Sequence, residues 1–456
     1  MRTEDPEQLV AFGERIVERA RTKGAHVAEA VVSASSHLYT KVRMGEPELV
    51  EEASSRAVGL RVMIDQKVAV SYTSDLTDRG LASFVEDAVE LARLSEQDPF
   101  AGPPDPTLLS SRDDHADLDL YDEAIHRVDA ARALEAATEA EAAARGADPR
   151  IVNSEGSTFS RASGARALVT SGGFRGASRG TYASLAVHPV ADDEDGKKRS
   201  GFYWSARRHL DELLDPAEVG REAAKRTVAK LGATKIDSQE LPVVFDPEVS
   251  RSIVGLLAGC VNGSAIWRKS SYLLDRVGSE VASPLCTMVD DPLRARGPGS
   301  RAFDGEGLAS RRNVVVDQGV LKTYLLDSYA GRKLDLASTA NASRGASGGV
   351  GPSTTNFLLE PGDQSPEDLL RSTPRGLYVT EMMGFGFNAV TGDFSRGAAG
   401  FLIEGGELAA PVSEVTISLN LDALLKAIDA VANDLDPRTS VVAPTFRVSA
   451  MTVAGR

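Results

Sequence analysis

Histidine is scarce in this chain: there are 6 in 456 residues, and none follows His209. Metal or acid–base chemistry beyond that point must therefore use carboxylates, hydroxyls, amides, or Cys260 and Cys286. Those 2 cysteines lie far apart, with neither a CxxC pair nor nearby histidines, which excludes a disulfide-stapled scaffold and reads as two buried free thiols. Long apolar runs are missing too. No segment reaches the roughly 20 apolar residues needed to span a bilayer, and the opening MRTEDPEQLV has no basic stretch followed by an apolar one. The expectation is a cytoplasmic protein without membrane contact. Positive charge is in deficit: Lys+Arg 51 against Asp+Glu 66 gives a net charge of -15. A broad phosphate-binding surface and a direct nucleic-acid partner are accordingly not expected, although an acidic average can hide a basic cleft.

What is present points to a folded, multi-domain chain. A composition of 42% hydrophobic and 26% charged residues excludes a disordered polymer. Leu9, Phe12, Ile16 and Ala20 recur near a 3.6-residue period and predict an opening helix over 7–22. AEAVVSAS, SHLYTKVRM, VGLRVMID and KVAVSYTS read as four short strands, and Leu81, Phe84, Val85, Ala88 and Leu91 mark a second helix. No Gly-rich turn follows the first strand, which disfavours a dinucleotide-binding unit. The proline-laden QDPFAGPPDP at 97–106 is a connector. A long alanine-rich helix is predicted over 121–146, strands over 150–190, and a helix over 216–231. After a boundary near 232–240, hairpins are predicted around Asp317, Gln318 and Gly319 and at Gly405 and Gly406, then a helix LDALLKAIDAVAN capped by Asn420. Between the core-like stretches, 340–356 reads as a large loop. The fold class is α+β: an N-terminal α/β-mixed region of two subdomains, 1–100 and 107–232, followed by a strand-rich domain, 238–456, with antiparallel sheets or barrel-like character.

Familiar catalytic patterns fail one by one. HExxH is absent, and His26 with His37 and His115 with His126 are too widely spaced to sit on adjacent helical turns. DDHADLD at 113–119 lacks the glycine and terminal glutamate of a calcium loop. Ser178 and Ser347 each sit in GxSxG, but Ser347 has no downstream histidine and Ser178 lies among turn-like residues. There is no GxxxxGK[ST], and MGFGFN is only part of a dinucleotide fingerprint. Near the C-terminal hairpin, Asn388, Thr391, Asp393, Ser395, Arg396 and Glu404 gather among close-approach glycines. They could clamp a peptide backbone, with Arg396 reading a carboxylate and edge strands extending the peptide into a sheet, or simply hold two barrel strands together. Arg268 and Lys269 beside Trp267 read either as a site of positive charge or as a solvated face.

Three stretches carry a family resemblance: GSAIWRKSSYLLD at 263–275, FDGEGLASRRNVVVDQGVLKTYLLDSYAGRKLDLASTANA at 303–342, and VTEMMGFGFNAVTGDFSRGAAGFLIEGGELAAPVSEVTI at 379–417. The chain resembles the TldD/PmbA family over nearly its whole length, in the PmbA branch also called TldE. The resemblance implies a cytoplasmic, intersubunit peptide-processing chamber. TldD-like members carry an HExxxH helix and a later cysteine that supply a zinc site. Here the matching helix is SIVGLLAGCVNG, with Val254 and Gly255 near the first His and Glu positions and Gly259 near the second His. The later cysteine is missing from DPRTSVVAPTFRVSA. The resemblance thus implies no catalytic residue and no metal in this chain, with zinc expected in a TldD-like catalytic partner and unfolded peptide as substrate. Asn388, Thr391, Asp393, Ser395 and Arg396 are the candidates for contact with substrate or partner, and a homodimer is the expected form of the isolated chain. The alternatives are an autonomous metallopeptidase with a noncanonical site, and a non-enzymatic regulatory protein, including a modulator of a toxin or of a nucleic-acid enzyme.

Overall fold

The computed structural model describes residues 5–194, 196–345 and 349–456. Helix α1 (Pro6–Thr22) starts where the Asp5 side chain accepts from the Glu7 N–H, and it buries Leu9, Ile16, Val17 and Ala20. Strands β1 (Val27–Arg43) and β2 (Glu46–Ile64) follow as one long antiparallel hairpin. It turns at Met44 and Gly45, both at positive φ. Three of the predicted short strands are therefore pieces of two long ones. The first half of β2 escapes a pattern reading because it is exposed, so no apolar alternation is needed there. Strand β3 (Lys67–Thr73) pairs with β2 only from Val58 to Ile64. The outer edge of β2 before Val58 has no partner strand among the described residues. Helix α2 (Asp78–Leu94) is capped by Thr77.

The alanine-rich helix is broken in two, α3 (Glu123–His126) and α4 (Ala130–Ala147), because the Asp129 side chain accepts from the Arg132 N–H and starts a new helix. Then come β4 (Ile151–Thr170), β5 (Arg175–Asp192), β6 (Lys198–Ser200), β7 (Tyr203–Arg207) and α5 (Pro216–Val228). These strands and the first three form a single sheet in the order β3-β2-β1-β4-β5-β6, with β7 also on β5. One face of it is covered by helices. Ala30, Val32 and Val62 pack with Leu9, Ile16, Leu81 and Phe84, while Leu38, Val42 and Leu185 pack with Ala133, Ala137 and Val219. Helices α4 and α5 approach so closely that a Cβ on Gly220 would lie 2.2 Å from the Ala140 carbonyl oxygen. The opposite face presents Val31, Leu168 and Phe174 to Leu109 and Phe303, which joins the sheet to the C-terminal domain.

That domain opens with β8 (Gln239–Phe245), α6 (Pro247–Cys260) and α7 (Gly263–Trp267). It continues through β9 (Met288–Asp290), β10 (Asn313–Asp317), β11 (Val320–Leu321), α8 (Ser328–Leu334), β12 (Ala342–Arg344), β13 (Val350–Pro352), β14 (Phe357–Leu359) and α9 (Pro366–Arg371). It ends with β15 (Arg375–Met383), β16 (Asp393–Glu404), β17 (Glu407–Asn420), α10 (Leu421–Lys426), β18 (Ile428–Val431), β19 (Val441–Val442) and β20 (Phe446–Ala454). Strands β17-β16-β15-β8-β20 form a five-stranded barrel, closed where β17 pairs with β20 from Thr416 to Ser418. The α+β class with a barrel-like C-terminal domain holds. Both predicted hairpins form, turning at Gln318 and Gly319 and at Gly405 and Gly406, all at positive φ. The last predicted helix is corrected: Asn420 caps it, but it stops at Lys426, and Ile428–Val431 instead pairs with β20. Among the described residues no helix is long and apolar enough to cross a membrane.

Candidate functional site

Helix α6 starts after Asp246, whose side chain accepts from the Glu248 N–H, with Pro247 in the first turn. Val249, Ile253, Val254 and Leu257 recur at helical spacing and are buried in the barrel-domain core. The other face, formed by Arg251, Ser252, Gly255, Leu256 and Gly259, is partly or fully open. The three positions set against a zinc motif divide between these faces. Val254 is buried, Gly255 is half-buried and Gly259 is exposed. A Cβ on Gly255 would first meet Val441 Cγ1 at 3.9 Å, and one on Gly259 would meet nothing within 4 Å. None of the three offers a side-chain donor, so zinc does not fit here. Cys260 and Cys286 are free and buried, with desolvation pushing their thiols up to about 11 and about 12, which keeps them protonated and unreactive at neutral pH. Among the described residues, no three of His, Cys, Asp and Glu gather as a metal site.

The barrel brings one of the predicted residues to the open face of α6. Arg396, on β16, donates from Nη1 to Ser252 Oγ at 3.4 Å, and its guanidinium lies 5.8 Å from the Phe394 ring centroid. Its Nε is buried and has no hydrogen-bond partner among the described residues. Neighbouring Ser395 is exposed, and its N–H donates to the Gly386 carbonyl at 2.8 Å. The other three close a loop on themselves. The Asn388 N–H donates to the Asp393 carbonyl, Thr391 Oγ1 donates to the Asp393 carboxylate at 2.7 Å, and Asn420 donates to the Thr391 carbonyl. The Thr391 hydroxyl, with a further bond from Asn420 Nδ2 to Asp393 Oδ1 at 3.3 Å, holds the Asp393 carboxyl below its ordinary range. The loop carries apolar side chains into solvent, with Phe385 99% exposed beside the exposed Met383 and Val390. Strand β16 has no free edge here: Ser395 and Arg396 pair with β17 on one side, and Phe394 is bridged to Phe387 on the other. A peptide extending this sheet is therefore excluded at that point, and binding would have to use side chains. Glu404 lies at the far end of β16, beside the hairpin turn, and Arg268 stacks over Trp267 at 4.9 Å.

The remaining sequence candidates fall into local roles. His115 and His126 each lie 3.0 Å from a serine hydroxyl, Ser110 and Ser163, and His26 lies 3.3 Å from the Asp65 carboxylate. Ser178 is inside strand β5 rather than at a strand-to-helix elbow, and Ser347 lies outside the described residues. A further cluster of buried charged groups carries no recognisable sequence pattern. Glu29, fully buried on β1, accepts from Arg61 and from Arg344 of the C-terminal domain. Nearby Asp304, Glu306 and Asp327 are buried carboxyls whose desolvation raises all three, Glu306 to about 7. FDGEG at 303–307 was the one local signal, since two acids within an otherwise apolar and glycine-rich stretch are costly to bury without partners.

Three domain families match the chain in order: PmbA/TldA metallopeptidase domain 1 over residues 28–92, the central domain over 123–231 and the C-terminal domain over 238–455. Metalloprotease PmbA of Escherichia coli O157:H7 is 35% identical over 429 residues, covering 94% of this chain and 92% of that protein. The crystal structure of a proposed modulator of DNA gyrase from Bacteroides thetaiotaomicron superposes with a TM-score of 0.90 at 27% identity, covering 98% of both chains. TldE from Thermococcus kodakarensis shares the fold, with a TM-score of 0.85 at 22% identity and coverage of 98% and 99%.

Proposed function

The chain belongs to the PmbA/TldD metallopeptidase family, and from that premise we propose that it is the noncatalytic, PmbA/TldE-like subunit of a cytoplasmic zinc metalloprotease. The observation that carries this reading is the open face of α6, where Gly255 and Gly259 stand in place of metal-binding side chains and Val254 is turned into the core. Zinc, and the polarised carbonyl and activated water that it supplies, are assigned to a TldD-like partner. This chain closes the chamber and holds an unfolded peptide in extended form. Arg396 is a fixed positive charge beside the open helix face, suited to a peptide carboxylate, and Ser395 adds an exposed hydroxyl. Asn388, Thr391 and Asp393 shape the loop that presents Phe385 to substrate or partner. Mixing the chain with a TldD-like homologue, then measuring mass, zinc content and peptide cleavage for each component and the mixture, tests the proposal. The expected result is a zinc-free chain, homodimeric alone, that forms a heteromer and raises the partner's cleavage of unfolded peptide. Stoichiometric zinc and chelator-sensitive cleavage by the pure chain would overturn it, provided mass spectrometry finds no contaminating partner.

A further inference from the structure

Where β4 and β5 meet the C-terminal domain, a cavity of about 90 Å³ is lined by Arg166, Ser178, Arg301, Phe303, Asp304 and Arg344 among others. Its three guanidinium groups come from distant parts of the chain and have little to bind. The Arg344 side chain is only 3% exposed; Nη2 is taken by Glu29, but Nε and Nη1 are buried without any hydrogen-bond partner among the described residues. Nε and Nη2 of Arg301 are likewise buried and have no hydrogen-bond partner among the described residues. Arg166 spends one donor on the Arg344 carbonyl, and burial beside two other arginines lowers its guanidinium to about 10. Empty donors on buried guanidinium groups are expensive, and like charges at close range add to the cost. Asp304 and Asp290 attract Arg301 through space, but among the described residues Asp304 accepts no hydrogen bond from any of the three guanidinium groups. Its Oδ1 accepts from the Glu306 and Leu308 N–H groups and its Oδ2 from the Ala342 N–H, and burial raises its pKa.

A water molecule occupies about 30 Å³ of liquid, so the cavity admits a compact group of a few heavy atoms and excludes a nucleotide or peptide. We propose that a tetrahedral oxyanion of the phosphate or sulfate type binds here, held by Arg166, Arg301 and Arg344 with the Ser178 hydroxyl beside them, and fastens the N-terminal sheet to the C-terminal domain. Guanidinium forks match such oxygens in pairs, and the cleft is a local exception to the acidic average of the chain. The site is independent of the subunit role proposed above.

The test uses the full chain in chloride, phosphate or sulfate at equal ionic strength, with thermal unfolding and calorimetric titration as readouts. Phosphate or sulfate is expected to raise the Tm saturably by several degrees, and Arg301→Met to weaken binding by at least about tenfold, while Arg132→Met, on the exposed side of α4, leaves it unchanged. A parallel titration with phenyl phosphate separates the free anion from the phosphoryl end of a larger ligand. If Arg301→Met does not fold, Ser178→Ala and crystals of the wild type soaked in tungstate take its place, with weaker binding and an anomalous peak between the three arginines expected. Equal Tm in the three salts, unchanged affinity in the Arg301 or Ser178 variant, or soaked crystals with only water or chloride in the cavity would overturn the proposal.

Discussion

Replacing Glu29 by Gln tests how the two halves of the molecule are held together. The Glu29 side chain is 1% exposed, and its Oε2 accepts from Arg61 Nη1 at 3.2 Å and from Arg344, 315 positions away in sequence. Both guanidinium groups are nearly as buried, at 9% and 3%. Gln keeps the size and shape of the side chain but removes the charge, leaving two interior cations without their shared counterion. Removing one partner from a buried ion pair costs about 3–5 kcal/mol, because the desolvation of the other partner is no longer offset. Urea unfolding followed by tryptophan fluorescence at pH 7 should show a loss of that size. The pH dependence gives a second check. Burial opposes ionisation of Glu29, but the two arginines outweigh it and hold the carboxyl below its ordinary 4.5. A lowered folded-state pKa means that the stabilisation is complete above about 4.5 and is lost as pH falls through the folded value. Wild type and Glu29→Gln should therefore converge in acid. A difference below about 0.5 kcal/mol at pH 7, or one that stays constant down to acid pH, would refute the reasoning.

Other expectations follow from single residues. Glu306 is raised from 4.5 to about 7, so the wild type loses stability as pH rises across that window. Glu306→Gln, which can still accept from the Ser328 N–H, should be more stable than wild type at pH 8 by on the order of 2 kcal/mol, with the gap closing by pH 4.5 in the same urea titration. Gly220→Ala would drive a Cβ to 2.2 Å from the Ala140 carbonyl, an overpacking expected to cost about 1–3 kcal/mol. Gly259→Ala, with nothing within 4 Å, should stabilise α6 by up to about 1 kcal/mol; calorimetric melting of the pair reads both signs at once. Cys260 and Cys286 should resist a thiol-titrating disulfide reagent in the native state and both react once guanidinium unfolds the chain. Rapid native labelling of either would contradict their burial.

Local chemistry was the legible part of this fold. Asn420 caps its helix, and the Gln318–Gly319 and Gly405–Gly406 turns stand where positive φ is cheap, because turns and caps depend on neighbouring residues alone. Patterns that serve two periods were not legible. Leu421, Leu424, Leu425 and Ile428 fit a helix, yet Ile428 and Ala430 also alternate around exposed Asp429, and pairing with β20 decides in favour of strand. The exposed start of β2 has no apolar signal to read. At the candidate site, the sequence points to Arg396 through its glycine-rich surroundings, but not to its contact with Ser252 on a helix far earlier in the chain. Arg166, Arg301 and Arg344 are unremarkable one by one, and only the docking of sheet on barrel domain collects them.

The bare edge of β2 bears on how copies of this protein behave towards one another. Between Glu46 and Ala57 it offers unpaired backbone donors and acceptors, a template on which a second chain could zip. Among the described residues no helix or loop shields it, residues 46–56 being exposed; it carries Glu46, Glu48, Glu51 and Glu52 together with Pro47, which has no N–H to give. Lys41 and Arg161 engage two of those glutamates from within the sheet, but two edges brought side by side would still set acid against acid. Colloidal stability in this region thus rests on ionised carboxylates, and concentrated solutions should cluster as acid discharges them.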